Sequence, residues 1–138
     1  MTTEKTLEFR FERSIPAAPA AVYDAWLNPK VPGTPWNEAS KLILQPEVDG
    51  MFFWAFAANG TPHYGRFTEV SRPHRLVHTW VSPHTSGKES QVTVTFEGQG
   101  KGTKMTLVHT GLPDDEGGRA HKDGWLYFLD KLTAGWPS

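Results

Sequence analysis

Histidines fall at three places where the spacing of apolar residues gives them company that could do chemistry. In "RLVHTWV", alternation sets Leu76, His78 and Trp80 on one strand face, and in "GTKMTLVHTGLP" it sets Met105, Leu107 and His109 together. His121 heads a helical stripe that continues through Trp125, Phe128 and Leu132 at steps of four, three and four. If both strand faces look inward, the imidazoles meet the helix at the polar end of an apolar pocket. There they would orient a ligand's carbonyl, hydroxyl or carboxylate. The ordinary alternative is that each histidine bonds a neighbouring side chain or carbonyl and closes the core. A third use, proton transfer in a cyclase or hydrolase, would need partners that the sequence does not supply, because no second acid or oxyanion donor accompanies them. With His63 added, the same residues are the raw material of a zinc site. There is no HxH, no HExxH and no carboxylate at metalloenzyme spacing, so no metal is expected.

Aromatic residues form the second constellation. Phe52, Trp54 and Phe56 alternate on one face, Trp80 lies on another strand, and Trp125 and Phe128 approach from the helix. Six tryptophans in 138 residues supply much apolar area, each with an N–H that needs a partner. Core filling is the default use and pocket lining the alternative. Trp36 stands apart. Its segment "KVPGTPWNEAS" has two prolines, a glycine and no periodicity, so an irregular surface connection is expected, with Trp36 at a cavity mouth or on a partner surface. Other chemistries find no support: there is no GxSxG elbow, and "GQGKGTK" precedes a strand where a phosphate cradle would precede a helix. Glu69 in "GRFTEV" shares an alternating face with Phe67 and reads as a solvated or paired strand residue.

Elements that could position these residues are legible along the chain. "LEFRFERSI" alternates cleanly, with Leu7, Phe9 and Phe11 on one side and Glu8, Arg10 and Glu12 on the other. "PAAPAAVYDAWLNP" predicts a short amphipathic helix, with Pro19 in its first turn, Val22 and Trp26 on one face and Pro29 as a stop. Six strands follow, "KLILQPEV", "MFFWAFAA", "HYGRFTEV", "RLVHTWV", "SQVTVTFE" and "TKMTLVHT", separated by turn-rich links that describe an antiparallel meander. Beyond Pro113, Asp114 and Asp115 suit a helix start, and Gly135 followed by Pro137 suits its end. Glycines 117, 118 and 124 weaken the first half, so the firm part of this helix is expected from about Gly124.

Composition narrows the classes. A length of 138 residues fits one α+β domain with one sizeable core, and neither repeat nor linker divides it. Fourteen basic against fifteen acidic residues, without a basic stripe, give no reason to expect nucleic acid as partner. Zero cysteines exclude a disulfide framework and a thiol nucleophile. The charged start "MTTEKTLEFRFERS" has no secretory character and no apolar run approaches the roughly 18 residues of a membrane span, so a cytoplasmic protein without membrane insertion is expected.

The order of these motifs carries a resemblance. From "FERSIPAAPAAVYDAWLNP" through Trp36, "VDGMFFW", "GRFTEV", "RLVHTW", "SQVTVTFE" and "GTKMTLVHTGLP" to "HKDGWLYFLDKL", residues 7 to 134 resemble the activator of heat-shock protein 90 ATPase homologue family, within the START-like or SRPBCC superfamily. The resemblance implies a helix-grip fold: a curved antiparallel sheet of about seven strands wrapped around a long C-terminal helix, with a cavity between them. "VDGMFFW" departs from the family in having a single glycine where relatives often have two. The superfamily includes lipid and hormone binders, polyketide cyclases and co-chaperone domains, so the fold does not select a function.

The expectation is a non-catalytic binding module for a small, mainly apolar molecule, with no cofactor. Trp36, Trp54, His78, Trp80, His109, His121, Trp125 and Phe128 are its candidate contacts. A co-chaperone surface for a heat-shock protein 90 ATPase is the alternative that the resemblance implies.

Overall fold

The structure is a computed structural model and describes residues 6–136. Strand β1 (Thr6–Ile15) leads into helix α1 (Pro19–Trp26). A meander follows: β2 (Ala39–Leu44), β3 (Met51–Phe56), β4 (Pro62–Ser71), β5 (Arg75–Trp80), β6 (Ser90–Gln99) and β7 (Gly102–Pro113). Helix α2 (Glu116–Gly135) comes last. The strands form one curved antiparallel sheet in the order β1-β7-β6-β5-β4-β3-β2, so β1 returns to pair with β7 and only β1 and β2 are edges. This is the helix-grip arrangement, with the C-terminal helix on the concave face.

Alternation decides which face is which. On β1 the charged Glu8, Arg10 and Glu12 are exposed while Phe11 and Ile15 are buried. On the helix side, Leu76, Val92, Val94 and Leu107 are all fully buried beneath Leu129 and Leu132 of α2. Each such side chain contributes about 1.5–3 kcal/mol by leaving water. One alternation is interrupted: a bulge between Phe67 and Glu69 keeps Phe67 buried and turns Glu69 outward, where it pairs with Arg75 at 3.2 Å.

Two sequence expectations need correcting. Helix α2 is regular from Glu116 and does not wait for Gly124. The Asp115 carboxylate caps it by accepting the Gly118 N–H at 2.8 Å. The glycines that lower helix propensity are there for close approach: a Cβ on Gly118 would collide with the Pro113 carbonyl, and one on Gly117 would lie 2.7 Å from the His84 carbonyl. The helix ends at Gly135 as expected, while the Pro137 stop signal lies outside the described residues.

The second correction concerns Trp36, which is 2 % exposed and at neither a cavity mouth nor an open surface. Pro35–Glu38 form a 3₁₀ turn in which the Thr34 hydroxyl accepts the Asn37 N–H. Gly33, at φ 95°, lets the backbone lie directly against Leu132 of α2. Glu38 is then held by Tyr127 and Lys131 of the same helix. The segment is thereby folded into the core. The Trp36 indole donates to the Trp26 carbonyl at 2.9 Å and its ring packs edge-on against Phe52.

Candidate functional site

The sheet and α2 do not close completely. Between the β3–β4 hairpin, the end of β5, the 3₁₀ turn Pro83–Thr85 and the middle of α2 lies a cleft of about 410 Å³, within the usual range for small-molecule sites. Its walls are mainly aromatic. Alternation on β3 brings Trp54 and Phe56 to it, Trp80 ends β5 beside them, and the α2 stripe supplies Trp125 and Phe128. The register pairs Trp54 with His63 across β3 and β4, and the two rings stack 4.0 Å apart at 7°. Gly124 keeps the helix side open, since a Cβ there would meet nothing within 4 Å.

Polar groups also line the cleft. His121 turns Nδ1 back onto its own helix, where the carbonyls of Gly117 and Gly118 lie at 3.0 and 3.2 Å. Carbonyls only accept, so Nδ1 carries the proton and Nε2 presents a lone pair. Burial holds the His121 pKa below the ordinary histidine value, against an upward pull from those carbonyls. His63 is pushed down to about 4, first by burial and then by His121 and His84. The indole nitrogens of Trp54 and Trp80 and Nδ1 of His63 are buried without a hydrogen-bond partner among the described residues. Such groups cost about 1–3 kcal/mol each, and the Tyr23 hydroxyl and Trp26 indole nitrogen, away from the cleft, are in the same condition. Asn59, Thr61, His84 and Asp123 complete the polar rim, and no lysine or arginine is among the lining residues.

Of the candidate contacts, the structure brings Trp54, Trp80, His121, Trp125 and Phe128 to the cleft. His109, His78 and Trp36 lie behind it. His109 is fully buried and both its nitrogens are used: Trp125 Nε1–H donates to Nδ1 at 3.0 Å, and Nε2–H donates to Ser90 Oγ at 2.8 Å. Ser90 passes the chain on to the Trp80 carbonyl at 2.7 Å. The Trp125 donor requires a lone pair on Nδ1, so His109 is neutral, and its burial keeps the pKa well below the usual value. His109 therefore fixes two wall tryptophans from the rear. His78 donates from Nδ1 to the Thr79 carbonyl at 2.9 Å within a cage of Phe52, Phe67 and Trp36, and burial lowers its pKa to about 4.

Sequence reasoning misses nine lining residues, four of them with aromatic rings. Alternation alone makes Phe56 a core residue and leaves His63 only a possible metal ligand; the hairpin register of His63 with Trp54 is the available signal. His84 and Tyr127 carry none, because the first sits in an aperiodic turn and the second on the flank of the helical stripe. Among the described residues, no group of three or more His, Asp or Glu side chains is placed to hold a metal. No described helix is long and apolar enough to cross a membrane.

Comparison with known proteins follows the fold. The family model described as "Activator of Hsp90 ATPase homolog 1-like protein" matches residues 16–135. A solved protein from Chromobacterium violaceum superimposes with a TM-score of 0.76 at 23% identity, covering 92% of this chain and 94% of that one. An HSP90 activator from Plasmodium falciparum gives a TM-score of 0.75 at 24% identity, with 94% and 97% covered. A protein of the dynemicin biosynthetic locus gives 0.74 at 23%, covering 92% of this chain but 46% of its own. No curated protein matches the sequence. At these identities the solved structures establish shared architecture.

Proposed function

The chain belongs to the activator of Hsp90 ATPase homolog 1-like family, and from that premise we propose that it is a non-catalytic binding module whose cleft holds a small, mainly apolar ligand. The observation that carries this reading is the aromatic cleft of about 410 Å³ between sheet and α2. A well-packed core leaves few voids larger than a water molecule and few unpaired donors. A ligand with an apolar frame fills that space, and a polar atom on it meets His121. His121 is the polar contact at the helix side, and Trp54, Trp80, Trp125 and Phe128 are the wall.

Titration with fatty acids, polycyclic aromatics and hydrophobic dyes should give a saturable change in tryptophan fluorescence, because Trp54, Trp80 and Trp125 all line the cleft. Gly124→Phe fills the open space from the helix and should abolish that change while leaving the fold intact. A flat response across such a library rejects the reading.

The family description and the likeness to an HSP90 activator support a second reading, in which a surface of the domain engages a heat-shock protein 90 ATPase. Co-purification with the chaperone and stimulation of its ATPase are the expected results; failure of both ends it.

A further inference from the structure

His121 makes the cleft selective in a way that its apolar walls do not. Its Nδ1–H is committed to the carbonyls of Gly117 and Gly118, so the ring cannot swap tautomers without setting a lone pair against two carbonyl oxygens. Nε2 lies on the far side of the ring. It has no hydrogen-bond partner among the described residues, and His121 is a lining residue of the cleft. The neighbouring His109 cannot serve it, because both of that ring's nitrogens are occupied by Trp125 and Ser90. Asp123 at the rim is likewise an acceptor, and no lysine or arginine lines the cleft to receive an anion.

Resting on the cleft-binding reading above, we infer that the ligand is a hydrogen-bond donor, a phenol-type hydroxyl carried on a flat aromatic frame, with His121 Nε2 as the acceptor that selects it. The frame is set by the walls: the stacked Trp54–His63 pair on one side, and Trp125 and Phe128, 6.3 Å apart and steeply inclined, on the other. Flat rings pack on such surfaces by stacking and edge contacts. A phenol, like the tyrosine side chain, keeps its proton around neutral pH. A carboxylate arrives without one and meets a lone pair and the Asp123 carboxylate. Burial of His121 reinforces the choice by disfavouring the imidazolium that would welcome an anion.

The test is calorimetric titration of the intact protein with three probes of one shape: β-naphthol, its methyl ether and β-naphthoate. β-Naphthol should bind roughly three- to tenfold more tightly than the ether, the worth of one neutral hydrogen bond, and naphthoate more weakly than either. In His121→Leu the preference for hydroxyl over ether should vanish. If naphthol and ether bind equally to the unaltered protein, or naphthoate binds best, the inference is overturned while the cleft reading stands. If none of the three binds, the inference is overturned, and the broader fluorescence library decides the cleft reading. The ranking of the probes on the unaltered protein decides the matter even where His121→Leu folds poorly.

Discussion

Replacing His109 by leucine distinguishes a residue that braces the wall from one that touches a ligand. The substitution keeps an apolar side chain of similar bulk, so its main effect is on hydrogen bonds. Ser90 Oγ can still donate to the Trp80 carbonyl at 2.7 Å. Trp125 Nε1–H loses its acceptor at 3.0 Å, and since Trp125 is only 3 % exposed, water does not replace it. A buried donor left unpaired costs about 1–3 kcal/mol. For a chain of this length, each kcal/mol lowers Tm by roughly 4 °C, so a fall of roughly 4–12 °C is expected. Thermal melts of His109→Leu, Trp125→Phe and the double variant form a cycle. Phenylalanine has no donor to strand, so His109→Leu should be cheaper in that background, with a coupling of about 1 kcal/mol or more. An additive cycle would refute the bond's energetic role. Unchanged stability with lost β-naphthol binding would place His109 in the ligand site and overturn the bracing argument.

Trp36→Ala should destabilise by about 3–5 kcal/mol in denaturant titration, as for a large core aromatic; a loss under about 1 kcal/mol would return Trp36 to the surface. Gly124→Ala adds a methyl that meets nothing, and helix propensity predicts about 0.8–1 kcal/mol of added stability in urea melts. Acid should weaken the fold through its buried neutral histidines. The pKa values of His63 and His78 fall from 6.5 to about 4 in the folded chain, so the unfolded chain binds more protons between those limits. Their stabilisation is complete above pH 6.5 and is lost as pH falls towards 4. The slope is at most about 1.4 kcal/mol per pH unit for each histidine, read as the urea midpoint at about pH 7 against about pH 5. His78→Phe should flatten it.

The residues legible in the sequence are those whose environment is set by local repetition. Leu7, Phe9 and Phe11 opposite Glu8, Arg10 and Glu12 announce β1 without any knowledge of β7, and His121, Trp125 and Phe128 announce one helical face. The turn at "VDG" shows where local pattern runs short: Asp49 adopts φ 67°, a conformation aspartate tolerates better than most residues, and no periodicity announces it. The Asp115 cap is visible in the sequence, but the reason for Gly117 and Gly118 is not. Gly117 makes room for His84, from a 3₁₀ turn that meets the helix start only once the chain is folded, and Gly118 for the Pro113 carbonyl at the end of β7.

The sequence by itself determined the architecture: the number and order of strands, the C-terminal helix and the inward faces follow from periods of two and 3.6 in one chain. It also determined which side chains were available for chemistry. Only the tertiary structure decided how they are used. A face tells which way a side chain points and not how far along the helix–sheet contact it lies. His109 and His121, alike in their patterns, therefore separate into a sealed bond between Trp125 and Ser90 and an open lone pair at the cleft. Trp36 shows the same limit: its aperiodic segment carries no inward signal, and it is buried because Gly33 allows contact with Leu132, 99 positions later in the sequence. Burial and hydrogen-bond partnership are properties of pairs distant in sequence, and local periodicity has no access to them.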